Sequence, residues 1–302
     1  MSSEFRPQPQ PAPRYREVSI GHAPVAVTEE HGVLHMRSLE PLAELPARLL
    51  DRLVHWARVR PEQTFIAARQ AGGDWRRVSY REMLDSVRAI AQSLLSYGLS
   101  AHKPLALLSG NDIEHLQVAL GAMYAGIPYC PVSPAYALLS QDFAKLRHVC
   151  DLLQPGLVFV SDAAAYQRAI EAVLPAETPL ICVRGQVPGR SQISFASLLH
   201  TPGGAEAEQA FNATGPDSIA KFLFTSGSTK LPKAVITTQR MLCANQQMLL
   251  QTFPVFGEEP PVLVDWLPWN HTFGGSHNVG IVLYNGGTFY LDLSLIHISE
   301  PT

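Results

Sequence analysis

Cysteine, charge and uninterrupted apolar runs are all scarce in this chain of 302 residues. Its four cysteines, Cys130, Cys150, Cys182 and Cys243, stand far apart and form no C-x-x-C pair. That spacing argues against a disulfide framework or a zinc ribbon and leaves buried, reduced thiols as the plain reading. Charged residues are only 16%, and 23 Lys plus Arg against 26 Asp plus Glu leave a net charge of −3. No basic excess exists to hold a nucleic-acid backbone. Two stretches, Leu116–Gln141 and Asn270–Leu291, contain no Asp, Glu, Lys or Arg. Pro128, Pro131 and Pro134 interrupt the first, and Gly274, Gly275, Gly280, Gly286 and Gly287 the second. Such breakers fit buried helix–loop–strand units better than a stable membrane insertion. Residues 1–16 are polar and proline-rich, lack the apolar centre of a secretory signal, and are expected to be disordered. A cytoplasmic location is therefore expected, and the oligomeric state is left open.

What is present is a core-forming chain. Apolar residues reach 46%, enough at this length to exclude disorder of the whole. Arg37–Arg60 reads as helical. The clearest helix is Ser79–Tyr97, where Ser79 and Glu82 form an S-x-x-E capping box, Met83, Val87, Ile90 and Leu94 form one apolar stripe, and Gly98 stops it. Short apolar strands are expected at Phe65–Ala68, Pro104–Leu108, Ile127–Val132, Leu157–Val160, Pro179–Val183 and Gly287–Asp292. Helices fall between them at Asp112–Ala125, from Ser140 to about Gln154, and at Asp162–Leu174. This alternation argues for an α/β fold with mostly parallel sheets flanked by helices. Residues 201–218 read as a loop and a candidate subdomain boundary.

The most informative segment is Lys221–Thr238. Two apolar strands, Phe222–Phe224 and Ala234–Thr237, enclose Thr225, Ser226, Gly227, Ser228, Thr229, Lys230, Leu231, Pro232 and Lys233. Hydroxyls and consecutive backbone N–H groups suit phosphate oxygens, glycine permits close approach, and Lys233 supplies a point charge. A polar hairpin between strands would share that composition. It is not a P-loop of the form G-x-x-x-x-G-K-S/T, because Pro232 precedes Lys233 and a strand follows. A second constellation runs Leu267-Pro268-Trp269-Asn270-His271-Thr272-Phe273-Gly274-Gly275. A histidine beside aromatics is commonly a hydrogen-bonded core residue. His277, His115 and His148 show no partner pattern, and no carboxylate stands at metal-ligand spacing, so no metal site is assigned. No G-x-S-x-G elbow is present.

The first segment resembles the phosphate-binding signature of the adenylate-forming superfamily, Y/F-x-x-T-S-G-S/T-T-G-x-P-K-G-V. Lys230 and Ala234 stand where that signature has glycine, a departure that bears on loop geometry and looks like the branch near feruloyl-CoA synthetase. The resemblance implies the N-terminal part of the family's large domain over residues 17–292. It implies that Thr225, Ser226, Gly227, Ser228, Thr229, Lys230 and Lys233 contact the phosphates of ATP. It also implies that His271 of the L-P-x-x-H segment lies on the acyl side, with Trp269 and Phe273 as pocket walls. His271 and Lys233 are the catalytic candidates. ATP with Mg2+, coenzyme A and a small carboxylic acid, aromatic and ferulate-like, are the implied reactants. Loading of an acyl-carrier protein and a non-catalytic nucleotide-binding remnant are the alternatives. The family's downstream Y-G-x-T-E segment, ribose-binding aspartate and lysine-bearing C-terminal domain have no counterpart here. Residues 293–302 read as an adapter-derived tail, and the chain by itself is expected to lack ligase activity.

Overall fold

The computed structural model describes residues 15–70, 72–225 and 231–293. From the amino end run β1 (Val25–Glu30), β2 (Val33–Ser38), α1 (Asp51–Val59), β3 (Thr64–Arg69), β4 (Trp75–Ser79), α2 (Tyr80–Leu95), β5 (Leu105–Leu108) and α3 (Ile113–Tyr124). Next come β6 (Tyr129–Pro131), α4 (Pro134–Leu138), α5 (Ala144–Leu153), β7 (Leu157–Asp162), α6 (Ala163–Val173), β8 (Leu180–Arg184), β9 (Gln192–Ser194), α7 (Phe195–Leu199) and α8 (Ala205–Ala213). The last part holds β10 (Ile219–Thr225), β11 (Lys233–Thr238), α9 (Gln239–Thr252), α10 (Val255–Glu258), β12 (Val262–Asp265), a π-helical turn (Phe273–Asn278), α11 (Val279–Asn285) and β13 (Thr288–Leu291).

Seven strands form one sheet in the order β11-β10-β6-β5-β7-β8-β9, parallel except where β10 meets β11. A four-stranded sheet has the order β12-β13-β3-β4, with only the β3–β4 pair antiparallel. The expected mostly parallel α/β arrangement is what forms. β5 shows why both faces of the large sheet must be covered. All four of its residues are buried, and alternate side chains serve two cores. Leu105 and Leu107 join α2, α3 and the smaller sheet; Ala106 and Leu108 join α5 and α6.

Local signals carry through at several points. Ser79 and Glu82 make the reciprocal capping box, and α2 buries Met83, Val87, Ile90 and Leu94. Asp112 and Asp162 cap α3 and α6 by accepting backbone N–H bonds. Gly286 ends α11 with φ +70, and a side chain there would also meet the Trp56 ring. Two readings are corrected. Helix over Arg37–Arg60 survives only at Asp51–Val59, because Ser38 ends a strand and Pro41 and Pro46 fall in the approach. Residues 201–218 are not simply a loop: α8 forms there, and Phe211 stacks on Tyr124 with ring centroids 4.1 Å apart. Strands on either side of that segment share the large sheet, since β10 pairs with β6. Of the expected terminal tails, residues 1–14 and 294–302 lie outside the described residues.

Candidate functional site

β10 and β11 set the geometry. Their register pairs Leu223 with Val235, Phe224 with Ala234 and Thr225 with Lys233. The expected strand–loop–strand is therefore a hairpin whose last pair is Thr225 and Lys233, both exposed. Ser226, Gly227, Ser228, Thr229 and Lys230 lie outside the described residues. Along β10, Phe222 and Phe224 pack against the α5–α6 core. Alternation turns Lys221, Leu223 and Thr225 to the opposite face.

On that face lies a cleft of about 430 Å³, lined by Leu223, Val235, Thr237, Met241, Leu242, Asn245, Thr272, Phe273, Ser276 and His277. It is walled by the hairpin, by α9 and by the π-helical turn. The aliphatic pair Leu223–Val235 lies two residues along the ladder from Thr225–Lys233. At about 3.3–3.4 Å per residue, the cleft and the hairpin's open end are roughly 7 Å apart.

The turn that carries Phe273 and His277 is held from three sides. Asp265 is buried; its Oδ1 accepts from the Trp266 and Leu267 N–H groups at 2.8 and 2.9 Å, and its Oδ2 accepts from Asn278 Nδ2 at 2.8 Å. Asn111, after β5, donates to the Leu267 carbonyl at 2.8 Å and accepts from the Trp269 N–H at 3.0 Å. Lys221 Nζ donates to the Gly275 carbonyl at 2.9 Å. Gly275 is required there, because a Cβ would stand 2.1 Å from the Trp269 carbonyl oxygen. Asn278 also fixes the tautomer of His277. Its Nδ2 is committed to Asp265, so its Oδ1 accepts from His277 Nδ1 at 2.8 Å, and His277 Nε2 is left as an acceptor. The His277 and Phe273 rings stack 4.7 Å apart at 13°.

The candidates from the L-P-x-x-H segment separate. Phe273 lines the cleft. Trp269 does not: it is 3% exposed and packs edge-on against His115 and Phe289 in the core, so its reading as a pocket wall is corrected. The short loop clamped by Asn111 turns its indole inward. His271 is exposed and falls outside the cleft lining, one residue before Thr272, which lines it. Its N–H donates to the Pro268 carbonyl at 3.1 Å. Nothing local in the sequence marks Asn245, Thr237 or His277 for the cleft; they join it through the packing of α9 and the turn on the hairpin.

Burial disturbs three ionisable groups nearby. Lys221 is 1% exposed, and desolvation pulls its ammonium down to about 7. His115, bonded through Nδ1 to Ser109 Oγ at 2.6 Å, is pulled down to about 4 by the same cause. Asp112 is pushed up to about 7, again chiefly by burial.

Among the described residues the hairpin ends in Thr225 and Lys233, beside an apolar cleft in an α/β fold. Residues 53–293 match the family described as AMP-binding enzyme, and the chain belongs to that family. It is 26% identical over 253 residues to a methyl-dioxo-octahydro-indenyl-propanoyl:CoA ligase of Rhodococcus jostii, covering 82% of this chain and 48% of the relative. It is 24% identical over 282 residues to the medium-chain-fatty-acid acyl-carrier-protein ligase TtuA of Teredinibacter turnerae, covering 84% and 43%. The fold matches a fatty acyl-adenylate ligase from L. pneumophila, solved with acyl adenylate and pyrophosphate, at TM-score 0.63 and 20% identity over 83% of this chain and 40% of that one. The match thus covers less than half the length of either relative. Among the described residues no helix is long and apolar enough to cross a membrane.

Proposed function

We propose that this chain provides the phosphate-binding hairpin and the acyl cleft of an ATP-dependent acid–thiol ligase. One observation carries the reading: the ladder that ends in Thr225–Lys233 also floors the apolar cleft through Leu223–Val235. In the reaction a carboxylate oxygen attacks the α-phosphorus of ATP, the bond to the bridging oxygen breaks, and pyrophosphate leaves. The thiol of coenzyme A then attacks the acyl carbon, its proton passes to solvent, and AMP departs. Thr225, Ser226, Gly227, Ser228, Thr229, Lys230 and Lys233 are assigned to the phosphates. The Lys233 ammonium offsets charge gathering on the leaving pyrophosphate. His271 is assigned to the acyl side, beside the cleft mouth at Thr272. Mg2+ enters with ATP; among the described residues no three His, Cys, Asp or Glu come together to hold a metal ion, and no step is assigned to one.

The cleft supports an aromatic acid of the ferulate type. Phe273 and His277 offer stacked ring faces, Met241, Leu223 and Leu242 offer apolar contact, and His277 Nε2 with Asn245 offers polar partners for a ring hydroxyl. The name of the TtuA relative favours a second reading, in which a carrier-protein thiol replaces coenzyme A. Calorimetric titration of the chain with Mg-ATP, ferulate, cinnamate and octanoate tests the first part. Mg-ATP should bind, and ferulate should bind more tightly than octanoate. Failure of Mg-ATP to bind sinks the phosphate assignment, and preference for octanoate sinks the aromatic one. Acyl transfer measured with free coenzyme A and with a holo carrier protein, on a polypeptide of the relatives' length, separates the two thiol acceptors.

A further inference from the structure

Both stems of the phosphate hairpin are referenced to one core, and a single histidine makes the second connection. The first stem is hydrophobic: Phe222 and Phe224, just before Thr225, pack against the cluster built by α5, α6 and one face of the large sheet. The second stem is polar. His148 on α5 places Nε2 2.9 Å from the carbonyl oxygen of Pro232, the residue before Lys233. A carbonyl only accepts, so the proton lies on Nε2 and His148 donates. Pro232 is buried and has no N–H of its own, and β11 is an edge strand whose remaining pairing is with β10 alone.

α5 is a firm anchor. Leu146, Val149, Cys150 and Leu153 are buried in the same cluster that receives Phe222 and Phe224. Arg147, the neighbour of His148, donates to the Ala172 carbonyl on α6 at 2.7 Å. The His148 bond ties the start of β11 to α5, in addition to the ladder that β11 makes with β10. We infer that His148 is a positioning residue for phosphate binding: it fixes the Lys233 stem against the core that already fixes the Thr225 stem.

This inference rests on the phosphate assignment above. Its test compares the chain with His148→Asn and His148→Gln. Asparagine keeps a polar amide but ends one bond short of the Nε2 position; glutamine reaches it with an N–H. Mg-ATP and ferulate affinities are measured by calorimetry, and backbone hydrogen exchange is followed over residues 233–238. His148→Asn should weaken Mg-ATP about three- to tenfold, the scale of one hydrogen bond, and speed exchange in β11. Its ferulate affinity should fall by clearly less than its Mg-ATP affinity, because Val235 and Thr237 lie farther along β11 from Pro232 while α9 and the turn are untouched, and His148→Gln should restore both readouts. Mg-ATP affinity unchanged in His148→Asn overturns the inference. So does an equal loss for both ligands, which would mark a general structural role. If the unsubstituted chain binds ferulate but no Mg-ATP, the phosphate assignment itself has failed and this inference falls with it.

Discussion

Lys221 carries a prediction whose size follows from its surroundings. It sits on β10 with no carboxylate among its recorded partners; it donates to the Gly275 carbonyl and lies 5.8 Å from the Tyr129 ring centroid. Burial lowers its ionisation from 10.5 to about 7. A drop of about 3.5 units means that the charged form is about 5 kcal/mol costlier in the fold than in the unfolded chain. Between pH 7 and 10.5 the unfolded chain holds the proton that the fold has released. Stability must therefore rise with pH across that window, and be lowest where the folded ammonium is fully charged. Raising the pH from 7 to 9 should add about 2 kcal/mol from this residue alone. The other two titratable groups that face it stay neutral there. Burial holds His115 down near 4 and drives the Tyr129 phenol well above its ordinary value.

Lys221→Met keeps the length of the side chain and removes the charge. Urea unfolding of both proteins at pH 7 and pH 9 isolates the residue, because every other titration is common to the pair. The native protein should gain about 2 kcal/mol relative to Lys221→Met over that interval. At pH 7 the variant should be no less stable, since the lost bond to Gly275 is offset by the lost desolvation. Parallel pH curves for the two proteins would refute the argument and require a partner that keeps the ammonium charged.

Three further outcomes are expected. Lys233→Met should weaken Mg-ATP roughly ten- to hundredfold in calorimetry, the scale of a lost charge-assisted contact, and leave ferulate affinity unchanged. Gly275→Ala should cost about 3 kcal/mol in chemical denaturation, because its Cβ meets the Trp269 carbonyl; Gly215→Ala, with nothing within 4 Å, is the control. Asp112→Asn should stabilise the protein by about 2 kcal/mol at pH 8 and by much less at pH 5. The buried carboxyl holds a proton up to about 7, so its folded-state advantage disappears as pH climbs through that value. Part of the side chain still meets water, which trims the gain, and asparagine preserves the cap on α3.

Elements with two agreeing local signals were readable from sequence. At α2 the capping box and the apolar stripe point to the same residues, and β5, β7 and β8 are short apolar runs between turn signals. α8 was missed because its buried face consists of little more than Ala207 and Phe211 in an otherwise polar stretch after Pro202 and two glycines. Those punctuation residues outweighed a two-residue stripe, and the helix is held by tertiary contacts: the Phe211 stack on Tyr124, Arg48 over the Phe211 ring, and Gln92 and Arg88 of α2. The β1–β2 ribbon was missed for the opposite reason. Nearly all of its residues are exposed, so burial imposed no alternation on its sequence.

The site divides along the same physical line. Phosphate chemistry needs hydroxyls, glycine and lysine next to one another on the chain, so Thr225 to Lys233 announces itself within nine residues. An apolar cleft needs only that separate surfaces face one another. Leu223, Met241 and His277 come from three elements and belong together solely because α9 and the π-helical turn pack on the same face of β10. Trp269 shows how adjacency misleads in such a case. It lies two residues from His271 and four from Phe273, yet the Asn111 clamp turns it into the core while Phe273 faces the cleft. A motif therefore offers candidate phosphate contacts from adjacent residues, but the lining of a cleft is fixed by what the fold brings opposite it. Substitutions in the cleft should change which acid binds without touching Mg-ATP, and substitutions at Lys233 should do the reverse.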